Sequence, residues 1–266
     1  MINLLSSELF RMRKRAQSWL LIAITFALTA LIYGGFAIAA KVNSGPDAQN
    51  MRNNVTFESF HDMGLGVSIG FLGSLMLVII AAGLMGNEFS WNTLRPLVAR
   101  SQTRVSLLTA KIVAMVIYAL IFVAILFIAV TGMYFIGSWF VGEPAGYSMS
   151  VFTDSLGFAA KLLYSNLPYV ALAFMLATLF KSNAAGIAGA LGLSFLEEPI
   201  WMLLGLASDA FKGAQDWGIS ANVNALSGFS AVDIGEGRAF VTLAVYALVF
   251  LGIAYAVFTR RDVTSG

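Results

Sequence analysis

Apolar residues run along this 266-residue chain in six long stretches, separated by shorter polar segments. An α-helix needs about 20 apolar residues to cross the roughly 30 Å hydrocarbon core of a bilayer. Each stretch has about that length, and the third is long enough to be tilted or to extend beyond the bilayer. The pattern predicts an all-α membrane protein with six spans, at Trp19–Ala40, Gly64–Gly86, Ile112–Phe140, Gly157–Phe180, Ala184–Leu206 and Ala239–Thr259.

The segment ahead of the first span has a different pattern. Apolar residues recur at steps of three and four from Ile2 to Ala16, beside the basic cluster Arg11–Arg15. This predicts an interfacial helix over residues 1–18, with its cations toward anionic lipid headgroups. The alternative is a solvated basic flank without an organised helix. The first apolar run is longer than that of a signal peptide, so we expect an uncleaved helix.

Composition agrees with a membrane protein and narrows its chemistry. Apolar residues make up 59% of the chain and charged residues 11%, whereas soluble domains have about a quarter charged residues. Cysteine is absent, and the single histidine, His61, falls in the predicted external loop Lys41–Met63. We therefore expect no catalytic residue, no metal site and no enzyme activity. The net charge of +2 does not indicate a nucleic-acid partner.

The distribution of basic residues predicts the orientation. With the N-terminus inside, 11 of the 16 lysines and arginines lie on the cytoplasmic side and 5 on the other. This asymmetry follows the positive-inside rule, so both termini are expected in the cytoplasm and the chain in the cell membrane. The loops are too short to fold alone. We therefore expect one membrane domain over residues 1–266, with its six spans in residues 19–259.

The stretch Asn87–Lys111, between the second and third spans, is the most informative. It is basic and amphipathic, with leucines among its arginines. Asn92 or Thr93 could cap a short helix with Pro96 near its first turn. Such a helix on the bilayer surface would present side chains to a cytosolic partner.

This stretch resembles the permease of type-2 ABC exporters, the ABC-2 family. The elements that carry the resemblance are an acidic residue ending span two, a polar step, a leucine-rich turn, a second polar step and a lysine opening span three. In this chain they are Glu88, Asn92-Thr93, Leu94, Leu97, Thr103-Arg104, Leu107-Leu108 and Lys111. Asn92 stands where the family usually has glycine, and Ser101 or Gln102 where proline is common. The six-span layout extends the resemblance over the whole chain.

The resemblance implies a coupling helix in residues 87–111 that docks onto an ATPase subunit. The residues that would carry this role are Glu88, Thr93, Leu94, Arg95, Leu97, Arg100 and Arg104; the alternative is that the arginines only set the topology. It also implies two copies of a cytosolic ABC ATPase holding ATP and Mg²⁺, and a second permease, identical or similar. The P-loop pattern G-x-x-x-x-G-K-[ST] does not occur in the sequence, so ATP binding is assigned to the partner.

The fifth predicted span contains two adjacent glutamates, Glu197 and Glu198, followed by Pro199. Carboxylates inside a membrane cost at least about 2–3 kcal/mol each and normally face a cavity or a partner. One interpretation is therefore a cation-attracting or gating site in the pathway. The other is that Pro199 ends the helix early and leaves both carboxylates at the outer interface. A six-span secondary transporter or channel that uses these glutamates for ion coupling is the alternative function.

Overall fold

The structure is a computed structural model that describes residues 2–43, 45, 52, 58–93, 103–142, 147–228 and 234–260. Within these ranges the regular structure is helical throughout, as predicted. In chain order the helices are α1 (Ile2–Lys14), α2 (Ala16–Val42), α3 (Glu58–Leu65), α4 (Gly73–Ser90), α5 (Arg104–Val141), α6 (Met149–Phe180), α7 (Asn183–Ala207), α8 (Asp209–Gln215), α9 (Ile219–Ser227) and α10 (Glu236–Arg260).

Six helices in the described part of the chain are long and apolar enough to cross a membrane, which confirms the predicted spans. The second of these runs from His61 to Ser90 and contains a π-helical segment, Gly66–Leu72, between α3 and α4. The third, α5, has 38 residues and is therefore about 57 Å long, longer than a bilayer core.

Several helices begin earlier than the apolar runs suggested. α5 starts at Arg104, so Lys111 lies about two turns inside a helix and not in a loop. His61 was expected in a loop, and this prediction is wrong: it belongs to α3 and its side chain is fully buried. The apolar pattern did not predict that Lys111 and His61 are helical, because a helix can extend into a polar flank where packing against other residues stabilises it.

The chain divides into two compact units. The first comprises Met1–Ser18, Ser74–Ala119 and Tyr164–Gly266. In it, α9 packs against both α7 and α10, and α8 packs against α7. Close approach depends on Gly186 of α7, where a Cβ would lie 2.8 Å from the Ala173 carbonyl oxygen and 2.9 Å from Ala82 Cβ.

The second unit comprises Trp19–Gly73 and Leu120–Leu163. The buried hydroxyls of Thr29 and Ser68 lie 2.9 Å apart and join α2 to the π-helical segment. Gly64 lets α3 approach α2, because a Cβ there would lie 1.7 Å from the Tyr33 hydroxyl oxygen. Polar side chains therefore line part of this unit's interior.

Two helix ends are set by local chemistry. α4 ends with Asn92 in the left-handed conformation (φ 52°), and the Thr93 N–H donates to the Glu88 carbonyl at 3.1 Å. This is the Schellman arrangement, in which asparagine is the usual substitute for glycine. α7 begins after Ser182, whose hydroxyl accepts from the Ala185 N–H at 3.3 Å. Asn92 therefore ends the preceding helix, and the helix predicted to follow lies outside the described residues.

Candidate functional site

Five charged side chains of the first unit meet where three helices converge. We call them the charge cluster: Glu8 and Arg11 of α1, Arg15 directly after α1, Glu88 of α4 and Lys111 of α5. The first three are spaced three and four residues apart, so a helical path places them on one face. The cluster thereby joins the N-terminal helix to the ends of two spans.

Lys111 lies at the centre of the charge cluster and is fully buried. Its Nζ donates at 3.2 Å to each of three acceptors, Glu8 Oε2, Glu88 Oε1 and the Leu84 carbonyl. An ammonium has three donors, so all of them are satisfied. The Lys111 side chain bridges two carboxylates that are themselves almost completely buried.

Glu88 receives charge-assisted hydrogen bonds from several elements. Its Oε1 accepts from Arg15 Nη2 at 3.0 Å and from Arg11 Nη1 at 3.3 Å. Its Oε2 accepts from the Thr93 hydroxyl, and Arg11 also pairs with Glu8. Glu88 therefore links α1 and α5 to the end of α4, next to the linker that follows Thr93.

The charges of the cluster nearly balance. Two carboxylates face three cations, which leaves a net charge of +1. A buried charge without a partner is very costly, and removing one member of a buried pair is strongly destabilising. Each charge of the cluster therefore depends on its partners, and the ion pairs link α1, α4 and α5 to one another.

Arg15 extends the cluster toward the surface. Its guanidinium lies 5.6 Å from the centroid of the Trp91 ring, and Nη1 reaches the Gly83 carbonyl at 3.5 Å. Trp91 is exposed. An arginine stacked on an aromatic ring is held in one direction while its charge remains available.

A row of amide side chains continues from the cluster to α7. Asn183 Nδ2 donates to Asn87 Oδ1 at 3.0 Å, and Asn87 Nδ2 donates to Gln17 Oε1 at 3.5 Å. Gly86 permits this approach, because a Cβ there would lie 2.3 Å from the Asn183 backbone nitrogen. We call these three residues the amide row; it joins the end of α4 to the start of α7.

The structure describes three of the seven predicted coupling residues. Glu88 belongs to the charge cluster, and Thr93 contacts it through Glu88. Arg104 is the first residue of α5. The preceding residue, Thr103, caps this helix by accepting a 3.0 Å hydrogen bond from the Ser106 N–H. The others, Leu94, Arg95, Leu97 and Arg100, lie outside the described residues.

Sequence reasoning missed the other members of the charge cluster. The arginines were treated as topology signals and Lys111 as the opening of a span, while Glu8 was not singled out. One signal was available: Glu8 is an isolated acid on a basic helix, and Arg11 follows it by one helical turn.

A further buried carboxylate, Glu197 of α7, lies against the first residues of α9. Its Oε1 accepts from the Ile219 N–H at 2.5 Å, and its Oε2 from the Ser220 N–H at 3.1 Å and the Tyr169 hydroxyl at 3.3 Å. Gly218 makes room, since a Cβ there would lie 2.7 Å from Glu197 Oε1. The first amides of a helix favour a carboxylate, and this contact fastens α9 to α7.

Glu198 and Pro199 have different surroundings. Glu198 is exposed and accepts from Asn224 Nδ2 at 3.2 Å. α7 passes through Pro199 and continues to Ala207, so the interpretation in which Pro199 ends the helix early is wrong. Membrane helices tolerate proline because neighbouring groups satisfy the freed carbonyl. Across the described residues, no group of three or more histidine, cysteine, aspartate or glutamate side chains could hold a metal ion.

Comparison with known proteins gives two matches. A family model with the description "Protein of unknown function (DUF2705)" matches residues 50–264. The chain is also 25% identical over 213 residues to the protein named "Uncharacterized protein YhcI" of Bacillus subtilis (strain 168). That match covers 73% of this chain and 66% of the relative, so the chain spans slightly less than two thirds of the relative's length.

These matches overturn the resemblance to the ABC-2 permease family. The family model that matches describes a different family. The structure supplies a physical reason for the misleading motif. Glu88 and Lys111, which bracketed the motif, form a buried ion pair, so the packing of α4 against α5 accounts for an acid and a base at these positions.

Proposed function

The chain belongs to the family described as "Protein of unknown function (DUF2705)", and from its geometry we propose that it is the membrane-embedded transport subunit of an ATP-driven exporter. The ATPase is a separate cytosolic subunit, present in two copies, that holds ATP and Mg²⁺. A second membrane subunit, identical or similar, completes the pathway. The observation that carries this proposal is the charge cluster next to the linker between α4 and α5.

The sequence supports a division of labour between two kinds of subunit. Six helices are apolar enough to cross a membrane, and the printed sequence has no P-loop pattern. A chain that moves cargo with ATP energy would then need a nucleotide-binding partner. In the proposed orientation both termini and the linker after Thr93 are cytoplasmic, which follows from the distribution of basic residues.

The charge cluster supports coupling to an ATPase because it would transmit a displacement of the linker to the helices that the cluster joins. The proposed coupling segment is residues 87–111, and ion pairs hold both of its described ends. Near the first end, Glu88 pairs with Arg11, Arg15 and Lys111. At the second end, Lys111 also pairs with Glu8. A partner that displaces the linker would therefore move α1, α4 and α5 together. In this proposal α1 lies in the membrane interface, with exposed Phe10 flanked by Arg13 and Lys14.

The amide row offers a route from the coupling segment to the other end of α7. Asn183 contacts Asn87 at the start of α7, and Glu197 holds α9 fourteen residues later, a distance of about 21 Å along a helix. A helix moves as a rigid element. Displacement of α4 would thus reach α9, which we propose as part of the gate. ATP would drive this movement only if it binds the two conformations with different affinity.

Co-purification and energy dependence test the proposal. Protein isolated from its native host in mild detergent is expected to bring down a subunit with a P-loop sequence, and ATP depletion is expected to stop export. Charge reversal of Arg100 and Arg104 is expected to uncouple ATP hydrolysis from export while the protein remains folded. Arg260→Glu, a reversal at an exposed helix end, is the matched control. Export that survives ATP depletion would contradict the proposal.

A second candidate function is a secondary transporter or channel. Glu198 favours it, because this carboxylate is exposed on a helix apolar enough to span the membrane. Exposed charge on such a helix normally faces an aqueous cavity or a partner. In that case Glu198→Gln would abolish transport, and ATP depletion without loss of the membrane potential would leave transport intact.

A further inference from the structure

His61 is the single histidine of the chain and lies in the interior of the second unit. Its ring is enclosed by three aromatic rings, with centroid distances of 6.1 Å to Phe127, 5.6 Å to Tyr134 and 5.6 Å to Tyr147. All three contacts are edge-to-face. The surrounding rings exclude water from most of the imidazole and leave its two nitrogens to side-chain partners.

Both ring nitrogens have hydroxyl partners, and one continues to a carboxylate. His61 Nε2 lies 3.0 Å from Thr131 Oγ1, and Nδ1 lies 3.1 Å from Ser155 Oγ. The Ser155 hydroxyl also lies within hydrogen-bond distance of Asp62 Oδ1, at 3.0 Å. The Asp62 side chain is 38% exposed. An unbroken chain of polar atoms therefore runs from an accessible carboxylate to a fully buried imidazole.

Four elements contribute to the surroundings of this chain of groups. Tyr33 of α2 is near enough to Asp62 and Tyr134 to interact with them electrostatically. On α2, Lys41 Nζ is directed at the Phe140 ring, 4.0 Å from its centroid. Among the described residues, the ionisable groups that contact His61 include Asp62 on α3, Tyr134 on α5 and Tyr147 ahead of α6, and Tyr33 on α2 interacts with Asp62 and Tyr134. Among these, Asp62 supplies the negative charge that would compensate an imidazolium.

We propose that His61 is a proton-binding site reached from Asp62 through the Ser155 hydroxyl. Asp62 in its acid form gives its proton to Ser155 Oγ, while the original Ser155 proton passes to Nδ1 of His61. Nε2–H donates to Thr131 throughout. The products are an Asp62 carboxylate, an unchanged serine and an imidazolium whose Nδ1 lies 3.8 Å from Asp62 Oδ1. One proton has moved, and no other bond has changed.

The geometry distinguishes this site from a histidine that only fills space. A packed neutral imidazole needs one donor and one acceptor partner, which Thr131 and Ser155 already supply. The further link to a partly exposed carboxylate is what proton transfer requires. Burial of an imidazolium is costly unless a counter-charge is close, and Asp62 is that counter-charge. The site makes the packing of α3 against α5 and α6 responsive to pH.

Nitrogen NMR of His61 tests the proposal on the full chain. Protein labelled with ¹⁵N-histidine and purified without a polyhistidine tag gives the signals of one imidazole. Between about pH 8 and about pH 5, the range in which histidine commonly changes charge, both ring nitrogens are expected to move reversibly to the shifts of the doubly protonated form. In Asp62→Asn this change is expected to be lost, because the imidazolium no longer has a carboxylate as its counter-charge.

The control is Asp154→Asn, which removes an exposed carboxylate beside Ser155; it should titrate as the wild type does. Ser155→Ala removes a single hydroxyl and should change the tautomer populations of the neutral ring. A ring that stays neutral throughout the range would overturn the proposal and leave a core histidine only. Wild-type titration in Asp62→Asn, or wild-type tautomer populations in Ser155→Ala, would do the same.

Discussion

Replacing Lys111 with methionine tests whether the charge cluster holds α1, α4 and α5 together. Methionine keeps much of the volume and removes an ammonium that touches both Glu8 and Glu88 at 3.2 Å. Removing one partner of a buried ion pair costs about 3–5 kcal/mol, because the remaining charge is desolvated and uncompensated. Arg11 still contacts both carboxylates. We therefore expect a loss near the lower limit, about 3 kcal/mol.

The assay is reversible unfolding in mixed micelles, followed by circular dichroism as the fraction of denaturing detergent rises. Lys14→Met is the matched control, because this lysine is exposed on α1; its effect should be within about 0.5 kcal/mol. Glu8→Gln combined with Lys111→Met should be less destabilising than the sum of the two single changes. Contacting groups show interaction energies of about 0.5–3 kcal/mol in such a cycle.

Two results would refute this reasoning. The first is a Lys111→Met variant as stable as Lys14→Met. The second is strict additivity in the cycle with Glu8→Gln. Either result would mean that the buried charges are compensated without Lys111, and that the cluster does not fasten α1 to the two spans.

Three further predictions concern single contacts. In the same unfolding assay, Gly186→Val should destabilise the protein by about 1–3 kcal/mol through overpacking. Gly192→Val is the control and should not, because a Cβ at this position meets nothing within 4 Å. Glu197→Ala should speed hydrogen exchange of the first two amides of α9 by about tenfold or more, because these amides lose a charged acceptor. Glu198→Ala is the control and should leave their exchange slow. Asn92→Val should lower the free energy of unfolding by about 1–2 kcal/mol, because the backbone at this position is left-handed. Asn92→Gly should change it by less than about 0.5 kcal/mol. Equal stability of the two variants would contradict the Schellman assignment.

The six spans could be predicted because lipid imposes a simple rule on sequence. A helix that crosses hydrocarbon must be apolar over about 20 residues, and that pattern is local. Tolerance of Pro199 was not predictable, since it depends on which neighbours satisfy the backbone around the proline. Glu197 could be recognised as unusual, but its partners, the amides of Ile219 and Ser220, come from a later helix.

The charge cluster and the His61 site were missed for the same reason. Their members are far apart in the chain: Glu8 is 103 residues from Lys111, and His61 is 94 residues from Ser155. Single-sequence periodicity carries no information about such pairs. The family resemblance was wrong because Glu88 and Lys111 fit a familiar motif, whereas their pairing in the fold is explained by burial.

The proposed function depends on contact between a nucleotide-binding partner and the linker between α4 and α5. A photoreactive amino acid placed at Arg95 in the native host, followed by irradiation and mass spectrometry of the adducts, measures this directly. Trp139, which is 82% exposed near the end of α5, is the control position. We expect an adduct to a protein with a P-loop sequence from position 95 and none from position 139. Adducts from position 95 that contain only lipid or further copies of this chain would contradict it.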